Sequence, residues 1–350
     1  MSLVDKNKND RSIHTIAEGL INSSKIRTLS LSGSGANSRI YKLETTDNIY
    51  ALKFYREGKF FFNDRLNSEQ KALNLFYENG IFNVPQIYNF DLKNNCVLME
   101  WVNGEIITNP CSGDIDSLSE FIISVDKVKN SINLKNHMEA TEACLSASEL
   151  ISQIKNRIDK LEKSDSVELL NFIQHYLSPL FEEVSYWVCD YYTKHSMSSN
   201  DNLDIKFQTL SVVDFGFHNA MKKNNGETIF IDFEYFGLDD PVKLISDTLL
   251  HPHPLMNLTR EFRQNFFDKT LGYFNKDDNY YIRVKALYPL YALRWCTIML
   301  NSFLPNYVFV DSNSNQADLK KIIQDKKLND VKAIVLSLSN NYNNFPFVGK

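Results

Sequence analysis

The sequence predicts an α+β chain of two uneven lobes: a small one of antiparallel strands with a single helix, and a larger, mainly helical one. Three observations carry this expectation. The first hundred residues alternate apolar and polar positions around short turns, which is the pattern of hairpins. From about residue 103 the apolar residues recur every three or four positions, as on helices packed against a core. The length of 350 residues, with 43% hydrophobic and 13% aromatic content, allows a substantial core and excludes disorder as a description of the chain.

The small lobe spans residues 1–102 and the helical lobe residues 103–350, with the break at Asn103-Gly104. In the small lobe, "IRTLSL" runs into the glycine-bearing turn "SGSGANS", followed by "RIYKLETT", the turn "DN" and "IYALKFY". A helix is expected over "NDRLNSEQKALNLFYENG", where Leu66, Ala72, Leu73, Leu75 and Phe76 have mostly helical spacing and Gly80 stops it. "PQIYNFDL" and "CVLMEWV" form a second hairpin around "KNN". In the larger lobe, "ATEACLSASELISQIKNRIDKL" and "VELLNFIQHYLSPLFEEVSYWVCDYY" read as helices. "NAMKKNNGETIFIDFEYFG" reads as a hairpin turning at Asn224-Asn225-Gly226, and "YIRVKALYPLYALRWCTIMLNSFL" as a late helix.

A net charge of −5 argues against sequence-independent nucleic-acid binding, which needs a basic surface. The five cysteines are dispersed, without metal-ligand spacing, as expected of reduced thiols in the cytoplasm. The N-terminus "MSLVDKNKNDRS" lacks the apolar core of a signal peptide, and no apolar run is long enough to span a bilayer, so no membrane insertion is expected.

The chemistry centres on "LSVVDFGFHNAM". Asp214-Phe215-Gly216 has the letters of a magnesium-holding triplet, yet Asn219 stands five positions after Asp214, the spacing of a catalytic base and its metal-binding Asn. If Asp214 held the metal, a base and Asn would lie upstream. Five residues after the upstream aspartates Asp190, Asp201 and Asp204 stand His195, Lys206 and Thr209, none of them Asn. If Asp214 is the base, Asn219 is its partner, and the hairpin that follows delivers Asp232 at the end of "TIFIDF". Base, Asn, hairpin and metal-binding Asp come in the order phosphoryl transfer requires. Asn219 and Asp232 offer the hard oxygens that Mg2+ prefers.

The small lobe has residues suited to ATP. Gly33, Ser34 and Gly35 lie where backbone amides approach phosphates, and Lys53 is a cation for the α- and β-phosphates. Glu69 can pair with that lysine, and the backbone of Glu100, Trp101 and Val102 can meet adenine. Near the base, His218 either touches phosphate or acceptor or packs within its loop. Glu234, Asp239, Asp240 and Asp247 suggest a negative patch for a cationic acceptor, although Asp240-Pro241 also suits a helix start. Arg294 is expected to pair with one of these carboxylates and Trp295 to be core.

The chain resembles the aminoglycoside phosphotransferase and choline kinase group of small-molecule kinases, over about residues 25–305. The likeness is carried by "ALKFY", "LMEWVNGE", "DFGFHN", "IDFEYFGLDDPVKLISD" and "LYALRWCTIMLNSFLP", most specifically by "DFEYFGLDDP". It implies a protein-kinase-like fold and a cytoplasmic, ATP- and Mg2+-dependent enzyme that phosphorylates a hydroxyl of a small acceptor. Asp214 would be its base, Asn219 and Asp232 its metal ligands, Lys53 its ATP contact, and Glu234, His218 and Arg294 candidates for the acceptor side. The spelling "DFGFHN" with the "RWC…LN" helix is similar to bacterial relatives associated with surface-polysaccharide synthesis, which puts a sugar first among acceptors, before choline or ethanolamine and aminoglycosides. One departure stands out. The family has His two residues before the base and this chain has Val212, so the loop needs another brace, such as apolar packing; the rival expectation is a nucleotide-binding module without catalysis.

Overall fold

Five strands near the start of the chain build one antiparallel sheet: β1 (Ile26–Ser34), β2 (Ser38–Thr45), β3 (Ile49–Tyr55), β4 (Ile87–Asp91) and β5 (Cys96–Glu100), in the order β1-β2-β3-β5-β4. The computed structural model describes residues 3–21, 24–35, 37–56, 64–134, 139–305, 307 and 316–344. The chain divides into a unit of residues 1–108 and 219–236 and a unit of residues 109–218 and 237–350.

In the first unit, β3 is the middle strand, with Lys53 opposite Ile40 of β2 and Val97 of β5. Side chains alternate across a strand, so Ala51, Lys53 and Tyr55 share one face and Leu52 takes the other. Ala51 and Tyr55 pack with Leu66 of helix α2 (Asp64–Glu78), Val97 and Met99. Leu52, Tyr41 and Leu43 pack with Ala17 and Leu20 of helix α1 (Leu3–Leu20). That N-terminal helix was not expected from its polar composition. Ile13, Ile16, Ala17 and Leu20 recur at the helical period, and this stripe meets the sheet.

The unit boundary differs from the expected division at residue 103. Strand β6 (Gly104–Ile106) pairs with β8 (Ala220–Lys223), which forms a hairpin with β9 (Thr228–Phe230). The hairpin joins the sheet-bearing unit because Phe230 N donates to Asn83 O at 2.9 Å and the rings of Phe233 and Phe236 stand edge-on to Phe76 of α2, at 5.2 and 5.3 Å. Aromatic pairs at this spacing add to their area burial. The turn falls at Asn224–Gly226 as expected, with Gly226 at φ +87°, open to glycine without strain.

The second unit is mainly helical: α3 (Ser112–Val128), α4 (Ala147–Leu161), α5 (Val167–Phe172), α6 (Ser178–Lys194), α7 (Pro241–Leu250), α8 (Arg260–Phe274), α9 (Tyr280–Met299) and α10 (Gln316–Asn341). Helix α9 runs through the core, with Tyr280, Tyr288 and Tyr291 fully buried. The helix expected from Ala140 starts only at Ala147, because Ser146 caps it by accepting from Glu149 N at 3.2 Å and Asp239 ties down the preceding segment by accepting from Cys144 N at 3.0 Å. Strands β7 (Thr209–Ser211) and β10 (Gly237–Asp239) pair antiparallel, and Leu238 also bridges to Glu139. Gly237 permits that bridge, since an added Cβ would collide with the backbone of Glu139 and Ala140. Asp240 caps α7 by accepting from Val242 N at 2.8 Å, with Pro241 in the first turn. No helix among the described residues is long and apolar enough to cross a membrane.

Candidate active site

In the first unit the sheet face under α2 gathers a buried charge cluster. Lys53, 4% exposed, donates at 2.6 Å to Glu69 of α2 and at 2.6 Å to Asp232, just past β9. Glu69 also accepts from the Tyr55 hydroxyl, two residues along the strand from Lys53, and from Phe233 N at 3.2 Å. Burial disfavours the Lys53 charge, but Glu69, Asp232 and Glu234 outweigh it and keep the amine protonated. Glu234 was expected on the acceptor side. It lies in this cluster, 3.9 Å from Lys53 and 3.8 Å from Arg65. Burial and the neighbouring Asp232 raise it to about 7, against the pull of Lys53, and its buried Oε2 has no hydrogen-bond partner among the described residues.

The hairpin register brings the two expected metal ligands together. Ala220 pairs with Phe230, and Ile231 N donates to Asn219 O at 3.0 Å, so Asn219 and Asp232 share one end of the β8–β9 hairpin. A carboxylate, an amide carbonyl and an orphaned carboxylate oxygen nearby suit a hard divalent cation, so the residues present fit Mg2+.

The rest of the expected nucleotide set is less regular. Gly33 and Ser34 are not in a turn: they belong to β1, opposite Ile40 and Arg39 and next to a bulge after Leu31. Gly35 makes the turn, donating to Ser38 O at 3.0 Å, and Ala36 lies outside the described residues. The Glu100 amide already donates to Gln86 O at 2.7 Å, and its carboxylate pairs with Lys223 at 3.6 Å. Trp101 and Val102 follow in irregular backbone, Val102 buried.

In the second unit, Asp214 accepts on Oδ1 from His251 Nε2 at 2.9 Å and faces His218 Nε2 at 3.3 Å. Burial pushes the Asp214 carboxyl up, but the hydrogen bonds from His218 and His251 prevail and hold it well below the usual carboxylate range. Asp214 is therefore held as an anion. Its φ of 63°, like the 70° of Asp232, lies in the left-handed region, which costs a side-chain-bearing residue roughly 1–2 kcal/mol. Such strain persists where surroundings enforce it, and functional sites are common places for it. Gly216 is needed for packing: an added Cβ would lie 2.5 Å from Met256 Sδ and 3.0 Å from His218 Nδ1.

The brace of the Asp214 loop differs in part from expectation. Val212 is buried, as apolar packing requires, but the polar contact comes from His251, thirty-seven residues downstream of Asp214. Sequence reasoning missed His251; its only local sign is the repeated His-Pro of "LLHPHP". Arg294 is occupied by Glu142 at 2.8 Å and Asp247 at 3.4 Å, as expected of a paired cation. Trp295 is half-buried rather than core, its ring edge-on to His251 at 4.7 Å.

Structural comparison aligns the chain with several small-molecule kinases. With ethanolamine kinase from Plasmodium vivax it shares 14% identity over 89% of this chain and 86% of that one, at a TM-score of 0.55. With choline kinase LicA from Streptococcus pneumoniae the values are 15%, 93% and 99%, at 0.56. With ADP-bound aminoglycoside phosphotransferase APH(2'')-Ib they are 16%, 91% and 97%, at 0.59. No protein-family model and no curated protein matches the sequence. The chain therefore has the protein-kinase-like fold on which these small-molecule kinases are built.

Proposed function

We propose that this chain is an ATP- and Mg2+-dependent phosphotransferase acting on a hydroxyl of a small, polar, largely uncharged acceptor such as a sugar or sugar derivative. The observation that carries the reading is the buried Lys53 held between Glu69 and Asp232. Such a cation is oriented for α- and β-phosphates, and phosphoryl transfer asks mainly for positioning and charge neutralisation. Gly33 to Gly35 and the backbone from Trp101 to Val102 contribute to nucleotide binding. Asn219 and Asp232 would hold the Mg2+, which when bound would neutralise charge on the phosphate oxygens. Asp214 accepts a hydrogen bond from the acceptor hydroxyl, orients it for in-line attack and takes up its proton.

The acceptor class follows from charge. The carboxylates that suggested a cation-binding patch are already matched. Asp239 pairs with Lys243 at 2.7 Å, Asp240 with Arg283 at 2.9 Å, and Asp247 with Arg294 at 3.4 Å. Glu234 sits beside Lys53 and Arg65. Freeing Asp239, Asp240 or Asp247 for an ammonium group would break a buried pair, at about 3–5 kcal/mol. This favours a neutral polyol over the choline, ethanolamine and aminoglycosides named for the structural neighbours.

The test is ADP release with Mg2+ over a panel of sugars, amino alcohols and aminoglycosides, comparing the parent with Asp214→Asn. Stimulation by neutral sugars and its loss in the variant are expected. Stimulation by cationic acceptors alone would overturn the acceptor class. Equal ADP release by parent and variant would overturn the enzyme reading in favour of a nucleotide-binding module.

A further inference from the structure

We infer that His251 is a positioning residue for Asp214, a neutral imidazole locked with its proton on Nε2 that aims the carboxylate and supplies the polar brace absent at Val212. The inference rests on the proposed role of Asp214 as base, but the geometry behind it is independent of that role.

His251 follows α7 as its C-cap, and Pro252 behind it both stops the helix and restricts the preceding backbone to extended conformations. Its φ of −55° and ψ of 126° agree. The chain then doubles back, and His253 N donates to His251 Nδ1 at 3.1 Å. A backbone amide can only donate, so Nδ1 must carry the lone pair, and in a neutral ring the proton sits on Nε2. That nitrogen lies 2.9 Å from Asp214 Oδ1. The ring is 7% exposed, stacked on His218 at 4.0 Å and closed off by Trp295 at 4.7 Å. Burial lowers its proton affinity, against the opposing pull of the Asp214 hydrogen bond, which agrees with a neutral ring.

The same atoms raise a rival reading. Asp214, His218 and His251 offer ligand atoms within 4.8 Å of one another, close enough for a transition metal. A metal on His251 Nε2 would force the proton onto Nδ1, directly against the His253 amide. The tautomer thus favours a hydrogen-bond brace over a metal site.

Two measurements test this. In protein labelled with 15N-histidine, His251 should show a protonated Nε2 and a bare Nδ1, unchanged by added Zn2+. A proton on Nδ1, or a saturable Zn2+-induced shift lost in His251→Ala, would overturn the inference. In the ADP-release assay, His251→Ala should lower kcat by about 10- to 100-fold with KM for ATP within about twofold. His251→Gln, which retains an N–H donor, and added imidazole with His251→Ala should each restore much of the loss. Equal defects in the Ala and Gln variants without imidazole rescue would mark His251 as merely structural. If the parent shows no turnover, the phosphotransferase reading fails, while the tautomer measurement still decides the brace.

Discussion

Replacing Lys53 with Met tests the charge cluster most directly. The substitution keeps the length and apolar stem of the side chain and removes only the ammonium. Glu69, 2% exposed, then loses its cation, and Glu234, also 2% exposed, loses one of its two. Removing one partner of a buried pair costs about 3–5 kcal/mol, because the other charge is stranded. Glu69 keeps the Tyr55 hydroxyl and Phe233 N as donors, and Asp232 is one-third exposed, so the low end, about 3 kcal/mol, is expected. Adding Glu69→Gln to Lys53→Met removes the stranded charge and should recover about 2 kcal/mol of that loss. Urea unfolding followed by fluorescence gives the stabilities, and calorimetry with a non-hydrolysable ATP analogue gives the affinity, which should fall at least about tenfold. A double variant as unstable as the sum of the two single ones would refute the reasoning, since the cost would then not come from unpaired charge.

Other consequences are as direct. Tyr55→Phe removes one donor to Glu69 while keeping the ring, so stability should fall by about 1–2 kcal/mol on urea titration, and by more in the Lys53→Met background, where that hydroxyl is one of the donors left to the stranded carboxylate. Gly237→Ala must push apart the backbone bridge to Glu139 and Ala140, and a loss above about 2 kcal/mol is expected in the same assay. Thiol labelling of the native protein should modify exposed Cys111 first and spare Cys96 and Cys296, buried and pushed up to about 12. Chelation of Mg2+ should abolish ADP release, and Asn219→Ala should raise the Mg2+ concentration needed for half-maximal activity at least about tenfold.

Local order made much of the chain legible. Alternation in "IYALKFY" marks a strand and places Lys53 and Tyr55 on one face, and the spacing of Leu66, Leu73 and Phe76 marks α2. The turn at Asn224–Gly226 holds Asn219 and Asp232 at one hairpin end by register alone. Gly33 misled, because a glycine-bearing stretch can be a bulged strand as well as a turn, whereas Gly35 does turn the chain. The start of α4 was misplaced because its cap depends on a segment tied down by Asp239, ninety-five residues away from Cys144.

By itself the sequence determined the strands of the small lobe with their helix, the Asp-x4-Asn spacing at Asp214 and the hairpin that leads to Asp232, because backbone propensity and register act between near neighbours. Only the tertiary structure decided which charges are already spent on one another: Arg294 on Glu142, Lys243 on Asp239, and Lys53 on Glu69 and Asp232. It also brought His251 to Asp214. Those pairings depend on which buried faces meet, and a carboxylate carries the same letter whether or not a cation has reached it.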